Sequence, residues 1–272
     1  MEINGYTRLA AVVAKPIKHS LSPLIHNLAF EQIGENGAYL AFEVSEADLK
    51  SVIDMIIPLD MYGMNLSMPY KEAAVAYMAD LSEVAKLTGA INTIVNRNGR
   101  LFGTSTDGAG FFKSLPQFTV AGSEITVIGA GGAARAIIAE AALQGASRIT
   151  VYNRTYRPEL FAHYPGDIQF KPLTALKAVT GDLLVNTTSV GMGDQQLPIA
   201  ADLKLPPDML VADIIYQPLE TPFLKFARSQ GNQTVNGLGM LVYQAAESFK
   251  LWTGQEMPVD MILSKLAEKV EG

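Results

Sequence analysis

The residues whose types and spacing most directly prescribe chemistry are Gly129, Ala130, Gly131, Gly132 and Ala133. Ile125, Val127 and Ile128 ahead of them have the apolar character of a buried strand. The Ala-rich run from Ala133 to Gln144 reads as a helix, so the glycines fall at a strand-to-helix turn. Gly129 permits the tight turn, Gly131 lets backbone N–H groups approach a pyrophosphate, and Ala134 keeps the helix close to the strand. The helix N-terminus adds positive potential. A second strand follows at Ile149–Tyr152, and at its end such a unit carries the acid that holds an adenosine ribose. Asn153, Arg154 and Thr155 stand there instead, with Arg157 just beyond. A guanidinium suits a 2′-phosphate better than a ribose diol, which favours NADP(H) over NAD(H). The competing reading is a solvated arginine at a strand end.

The polar residues of the first 110 positions say little one at a time. Ser22 before Pro23 has the form of a helix cap, whereas Ser20 has no capping duty. Asn65 and Ser67 interrupt an apolar strand at alternate positions and so share a face. Lys71 lies just past Pro69 at a strand-to-helix turn, where a lysine is most often solvated. Asp107 before Gly108 reads as a turn or N-cap residue.

Elements to position these residues can be drawn in chain order. Leu9 to Val13 is a short strand, followed by a loop to Ser20 and a helix from Ser22-Pro23. Tyr39 to Val44 alternates as a strand, Glu46 to Ile57 is helical, and Met64 to Pro69 is a strand running into a proline turn before helical periodicity from Tyr70 to Met78. Asn98-Gly99 between two apolar runs predicts a hairpin. Phe111, Phe112 and Leu115 begin a linking helix. Beyond the glycine unit, Leu183–Val185 and Leu210–Ile215 are buried strands and Thr221-Pro222 opens a helix. Thr234-Val235 is a short strand, and helices run from Met240 to Trp252 and from Val259 to Val270. Alternating strands and helices predict an α/β fold with mostly parallel sheet.

Composition narrows the function classes. A chain of 272 residues suits two domains, and 49% apolar with 18% charged residues describes a well-packed soluble protein. Twenty-one basic against 27 acidic residues, formally −6, with no dense basic cluster, argues against a nucleic-acid partner. The absence of cysteine excludes disulfides and thiolate-bound metal, and three scattered histidines make no metal site. The first 30 residues lack a signal-peptide h-region, and no apolar run reaches the ~18 residues of a membrane span. A cytoplasmic enzyme is expected.

Taken together, the motifs are more specific. Lys15-Pro-Ile-Lys-His-Ser20-Leu-Ser22-Pro23, Asn65-Leu-Ser67-Met-Pro69-Tyr-Lys71-Glu72, Gly89-Ala-Ile-Asn92-Thr93 and Thr106-Asp107-Gly108 stand in the first half. Gly129 to Arg135, Asn153-Arg-Thr155, Asn186-Thr-Thr-Ser189 and Gly237-Leu-Gly-Met-Leu-Val-Tyr-Gln244 follow. In order and spacing, from about residue 8 to 250, they resemble the shikimate dehydrogenase family. That resemblance implies NADP-dependent, reversible reduction of 3-dehydroshikimate to shikimate, a step of chorismate and aromatic amino acid biosynthesis. It also implies a substrate-binding and catalytic domain over 1–107, a Rossmann-type NADP domain over 108–236, and C-terminal helices, 237–272, packing back on the substrate domain. A monomer or homodimer is expected, with lobes that close for hydride transfer.

Carried over by position, the resemblance makes Lys71 and Asp107 the catalytic pair. Ser20, Ser22, Ser67, Asn92, Asp107 and Gln244 would bind the substrate carboxylate and hydroxyls, with Tyr216 nearby. Gly129, Ala130, Gly131, Gly132 and Ala133, with Asn153, Arg154, Thr155 and Arg157, would hold the cofactor phosphates and ribose. Thr188, Ile214 and Gly237 would line its nicotinamide half, and Glu83 falls where the family has an acid near the cofactor. No metal is implied. Two departures stand out: Ser67 where the family usually has Thr, and Ser105 where it has Asn. Ser67 keeps the hydroxyl but loses a methyl contact, which leaves room for a related acid such as quinate. A non-catalytic NADP-sensing module is the alternative of another class, and it would have no need of both Lys71 and Asp107.

The chemistry is coherent by itself. Hydride arriving at a ketone carbon leaves charge on oxygen, which a neighbouring ammonium stabilises and protonates. A small polyhydroxylated acid needs many directed hydrogen-bonding groups, as a site lined by Ser and Asn supplies.

Overall fold

The computed structural model describes residues 2–271. In chain order the elements are β1 (Arg8–Ala14), α1 (Ser22–Ile33), β2 (Gly37–Glu43), α2 (Leu49–Asp54), β3 (Gly63–Leu66), β4 (Asp80–Leu81), α3 (Glu83–Thr88), β5 (Thr93–Arg97), β6 (Arg100–Thr104) and α4 (Asp107–Lys113). There follow β7 (Glu124–Ile128), α5 (Gly132–Leu143), β8 (Arg148–Asn153), β9 (Ile168–Pro172), β10 (Leu183–Asn186), β11 (Leu210–Asp213), α6 (Pro222–Ser229), β12 (Thr234–Val235), α7 (Leu238–Thr253) and α8 (Val259–Glu271). Two compact units result. One runs to Gly110 and includes Val242–Lys265; the other is Phe111–Leu241 with the residues from Leu266. The fold is α/β with mostly parallel sheets, as expected.

The first unit contains a six-stranded sheet in the order β2-β1-β3-β5-β6-β4. β1 lies parallel to both β2 and β3, while β5 is antiparallel to β3 and β6. The tight β5–β6 turn is the predicted Asn-Gly hairpin: Asn98 and Gly99 both take positive φ, 52° and 82°. Only residues tolerant of that region make such a two-residue turn without strain. Leu66, Ala11, Val13, Ile53, Met64 and Ile94 share the apolar core. Because β1 is covered on both faces it reads as a continuous apolar run.

The second unit is built on an entirely parallel sheet, β12-β11-β10-β7-β8-β9. The chain reverses direction of travel between β7 and β10, the switch point at which doubly wound sheets open a crevice at their C-terminal edge. Val211, Leu184, Phe223 and Leu224 anchor its core.

Four local expectations need correction. Ser22 is the first residue of α1, not its cap; Leu21 holds the cap position without a side-chain bond. Ser20 has the capping-like duty instead, accepting from the Ser22 N–H at 3.2 Å. The helical segment after Pro69 contracts to a 3-10 turn at Ala73–Tyr77. Strands β4 and β9 and helix α3 were not anticipated. α3 nevertheless has an ordinary start signal, since Ser82 caps it through Ala85 N–H at 3.2 Å, and Gly89 ends it with φ 62°. Among the described residues no helix is long and apolar enough to cross a membrane.

Candidate active site

In the first unit the register brings the ends of four strands to one edge of the sheet. β1 and β3 run parallel, so their C-terminal ends lie side by side and the loops that follow them touch: Lys15 N–H donates to Met68 O at 3.1 Å. Those loops carry Ser20 and Ser67. β5 runs the other way and begins where β3 ends, with Asn65 opposite Thr93, and β6 ends opposite the same Thr93. Asn92 and Asp107 therefore arrive at the same place.

Lys71 Nζ and Asp107 Oδ2 are 2.6 Å apart, with 27% and 12% of their side chains exposed. This is a half-sheltered pair that solvent or a small ligand can still reach, unlike the surface ion pairs elsewhere. The other carboxylate oxygen, Oδ1, accepts from Asn92 Nδ2 at 2.8 Å. Asn92 Nδ2 also reaches Thr106 Oγ1 at 2.9 Å, while its Oδ1 accepts from the Thr106 N–H at 2.8 Å. Gln244, on α7, stands 3.5 Å from the same amide. Lysine, aspartate, asparagine and glutamine thus form one constellation. Ser20 and Ser67 sit in the adjoining loops and Ser22 opens α1, all three partly exposed.

Three further polar residues lie beneath this group and were not assigned a role from sequence. Asn65 donates to Asn92 O at 3.1 Å, to Thr93 Oγ1 at 3.0 Å and to Ser248 Oγ at 3.1 Å, and accepts from the Tyr39 hydroxyl at 2.7 Å. Tyr39 and Ser248 are fully buried. Burial pushes the Tyr39 phenol well above its ordinary range despite the opposing effect of Ser22, so it serves as a neutral donor. The available signal was spacing: Gln244, Ser248 and Trp252 recur at i, i+4 and i+8 on one helical face. Against Tyr39 stacks His26, ring centroids 4.1 Å apart. Its imidazole is wholly buried, neither nitrogen has a hydrogen-bond partner among the described residues, and desolvation pushes its pKa down to about 3.

Glu83 occupies the first turn of α3, exposed, with no hydrogen bond to the lysine–aspartate group. Tyr216 belongs to the second unit, in the segment after β11.

In the second unit the predicted nucleotide residues gather along the C-terminal edge of the sheet by backbone contacts. Gly129 has φ 107°, and a Cβ there would lie 2.5 Å from Thr187 Oγ1, so the turn packs directly against the strand-end that carries Thr188. Gly131 and Gly132 face open space, where a Cβ would meet nothing within 4 Å. Gly131 caps α5 with no side chain, leaving the first N–H groups of a 12-residue helix without a side-chain partner. That cradle of small residues at a positive helix end fits a pyrophosphate. Asn153 ends β8 beside it, its Nδ2 donating to Thr155 O at 2.9 Å. Arg154 is exposed and makes no ion pair among the described residues, whereas Arg157 is engaged by Glu159 at 3.1 Å.

Thr188, Ile214 and Gly237 are held by the neighbouring strand ends. Asn186 accepts from Thr188 Oγ1 at 2.7 Å and donates to Asp213 Oδ1 at 3.1 Å. Asp213 also accepts from the Ile215 N–H at 3.1 Å and from Thr221 Oγ1 at 2.8 Å. Burial raises the Asp213 carboxyl pKa against those bonds. Gly237 donates its N–H to Ile215 O, and a Cβ at this position would fall 1.9 Å from Ile214 O. Glycine is required there by close approach.

Comparison with known proteins points one way. Residues 12–94 match the model of the shikimate dehydrogenase substrate binding domain, and residues 237–264 that of the shikimate 5'-dehydrogenase C-terminal domain. A shikimate dehydrogenase (NADP(+)) from Streptococcus pneumoniae is 54% identical over 284 aligned positions, covering 100% of both chains. Among solved structures, a shikimate 5-dehydrogenase from Listeria monocytogenes in complex with shikimate and NAD is 37% identical. It superposes with a TM-score of 0.93 over 98% of each chain. The ligand-free 5-ketofructose reductase of a Gluconobacter species is 30% identical, with a TM-score of 0.88 over 98% of this chain and 100% of its own.

Proposed function

The chain belongs to the shikimate dehydrogenase family, and on that premise we infer that it catalyses the reversible NADP-dependent reduction of 3-dehydroshikimate to shikimate, a step towards aromatic amino acids. The observation that carries the mechanism is the 2.6 Å contact between Lys71 and Asp107, fixed by Asn92 at one edge of the first unit's sheet.

When bound, NADPH supplies the hydride. Lys71 holds its ammonium toward the reacting oxygen, stabilises the charge that develops there and delivers the proton. Asp107 orients that ammonium through one oxygen while Asn92 holds the other. The carboxylate keeps acceptor sites beyond these two, which a substrate hydroxyl can fill. Ser20, Ser22, Ser67 and Gln244 supply the directed groups that a carboxylate and several ring hydroxyls demand, and buried donors left unpaired by a poorer ligand give selectivity. Tyr216 as a substrate contact and Glu83 as a cofactor contact rest on the family resemblance alone.

Gly129, Ala130, Gly131, Gly132 and Ala133 hold the pyrophosphate on the α5 N-terminus. Asn153, Arg154 and Thr155 take the adenosine ribose and its 2′-phosphate, Arg154 bringing an exposed guanidinium with no ion pair among the described residues. Arg157 joins them by giving up Glu159, an exposed pair that costs little to break. Thr188, Ile214 and Gly237 line the nicotinamide half. Residues 1–107 form the substrate domain and 108–236 the NADP domain, with the C-terminal helices completing the former. The protein works as a monomer or homodimer.

A 5-ketofructose reductase shares this fold at 30% identity, so the fold alone does not choose the substrate. Initial rates at 340 nm with shikimate and with quinate, each with NADP+ and NAD+, test the assignment. Shikimate with NADP+ is expected to give the highest kcat/KM. A preference for quinate moves the protein to the related activity, and tight NADP(H) binding without oxidation of either acid favours the sensing module.

A further inference from the structure

One face of α7 reads three successive residues of the strand it covers. Gln244 faces Asn92, Ser248 faces Thr93, and Trp252 Nε1 donates to Ile94 O at 2.9 Å. The outer two contacts have evident purposes, a candidate substrate ligand and an aromatic anchor. Ser248 is fully buried, in the middle, and touches neither solvent nor Lys71 nor Asp107.

The donors and acceptors around it can be assigned from chemistry. Asn65 Nδ2 faces the backbone oxygen of Asn92, which can only accept, so the amide orientation of Asn65 is settled and its Oδ1 takes the Tyr39 hydroxyl proton. The Thr93 hydroxyl donates to Asn92 Oδ1 at 2.9 Å. With that proton on Asn92, Thr93 Oγ1 can accept from Ser248 Oγ at 2.8 Å; the single Ser248 proton is shared between this contact and Gln244 O at 3.1 Å, and Thr106 Oγ1 lies 3.3 Å away. One line of donors then runs toward Asp107: Ser248 to Thr93, Thr93 to Asn92, Asn92 to the carboxylate. Asn92 presents its N–H to Asp107 while its oxygen is held by the Thr93 hydroxyl, the Thr106 N–H and the Thr106 hydroxyl; losing the first of these loosens the amide without releasing it.

We propose that Ser248 is a positioning residue for the reaction, orienting the Asn92 amide through Thr93 and so presenting Asp107 and Lys71 to the substrate. It acts through a hydrogen-bonded chain and does not touch the reacting atoms. The inference rests on Lys71 and Asp107 being the reacting pair.

The test is a double-mutant cycle on the full chain with S248A and the isosteric T93V. S248A is expected to lower kcat about tenfold, the size of one net hydrogen bond passed on to the reacting group. The KM for NADP+ should not change, and the pH profile of kcat should move because the carboxylate beside Lys71 loses a fixed donor. T93V should do the same, and the double variant should be no slower than the slower single, since both break one chain. Thermal midpoints of all three are recorded, and kcat is expressed per folded enzyme. A kcat for S248A within twofold of the parent, with an unmoved pH profile, overturns the proposal. Losses that multiply in the double variant overturn it too, because Ser248 would then act independently of Thr93. A K71A variant made in parallel separates this failure from that of the functional reading: full activity in K71A removes the reacting pair itself.

Discussion

The two units organise their candidate sites by different physical means. In the first, side chains hold side chains: Lys71, Asp107, Asn92, Thr93, Asn65 and Ser248 make a connected set of hydrogen bonds between 2.6 and 3.1 Å. In the second, the backbone does most of the positioning, through the turn at Gly129, the uncapped start of α5 and the close approach of Gly237 to Ile214. The difference follows from what each would bind. A pyrophosphate carries diffuse charge and is satisfied by N–H groups at a helix end. A small polyol acid and a proton in transit require groups fixed within a few tenths of an ångström, which only an interlocked polar network provides.

A buried histidine also makes the first unit depend on protonation in a way the second does not share. His26 stacks in its core as a neutral imidazole at about pKa 3 against an ordinary 6.5. Between those values the unfolded chain binds a proton that the folded chain refuses, so acidification through that window removes stability. Asp213 in the second unit behaves oppositely. Its carboxyl pKa is raised on folding, so there the folded state binds the extra proton and acidification adds stability.

The sharpest way to break the comparison is at the reacting pair. Lys71→Ala should lower kcat by about a thousandfold, within the usual range for a lost general acid, while the Kd for NADPH measured by fluorescence stays within twofold. Turnover near the parent value would remove Lys71 from the mechanism. His26→Leu comes next. Between pH 6.5 and 4 the parent should lose about 3 kcal/mol of stability in urea titrations and the variant much less; parallel pH slopes would show that the imidazole is not the acid-sensitive group. The smallest effect is expected in the other unit, where Arg154→Ala should weaken NADP(H) by about tenfold to a hundredfold, the range for a lost charge-assisted bond, and leave NAD(H) unchanged. Equal losses for both nucleotides would place the 2′-phosphate elsewhere.

Legibility from sequence followed the same division. The backbone-built unit was readable because its instructions are local: Gly129-x-Gly131-Gly132 between an apolar strand and an Ala-rich helix, then Asn153-Arg154 at the next strand end. The Asn98-Gly99 hairpin and the Thr221 cap, whose hydroxyl accepts from Leu224 N–H, were legible for that reason as well. Strands β4 and β9 were not, since two- and five-residue edge strands take their extension from a partner strand and carry little periodicity of their own. Ser22-Pro23 misled because a serine before proline has cap chemistry whether or not the chain enters the helix one residue earlier.

Sequence alone determined which residues could carry charge and protons, the order of the more strongly patterned strands and helices, and the glycine turn fitted to a phosphate. Only the tertiary structure decided that Asn65 and Ser248, 183 residues apart, meet at 3.1 Å under Asn92. Periodicity can assign a residue to a face, but hydrogen bonding requires atoms within about 3 Å. That distance between a strand near the start of the chain and a helix near its end is set by packing of the whole unit, which no local spacing encodes.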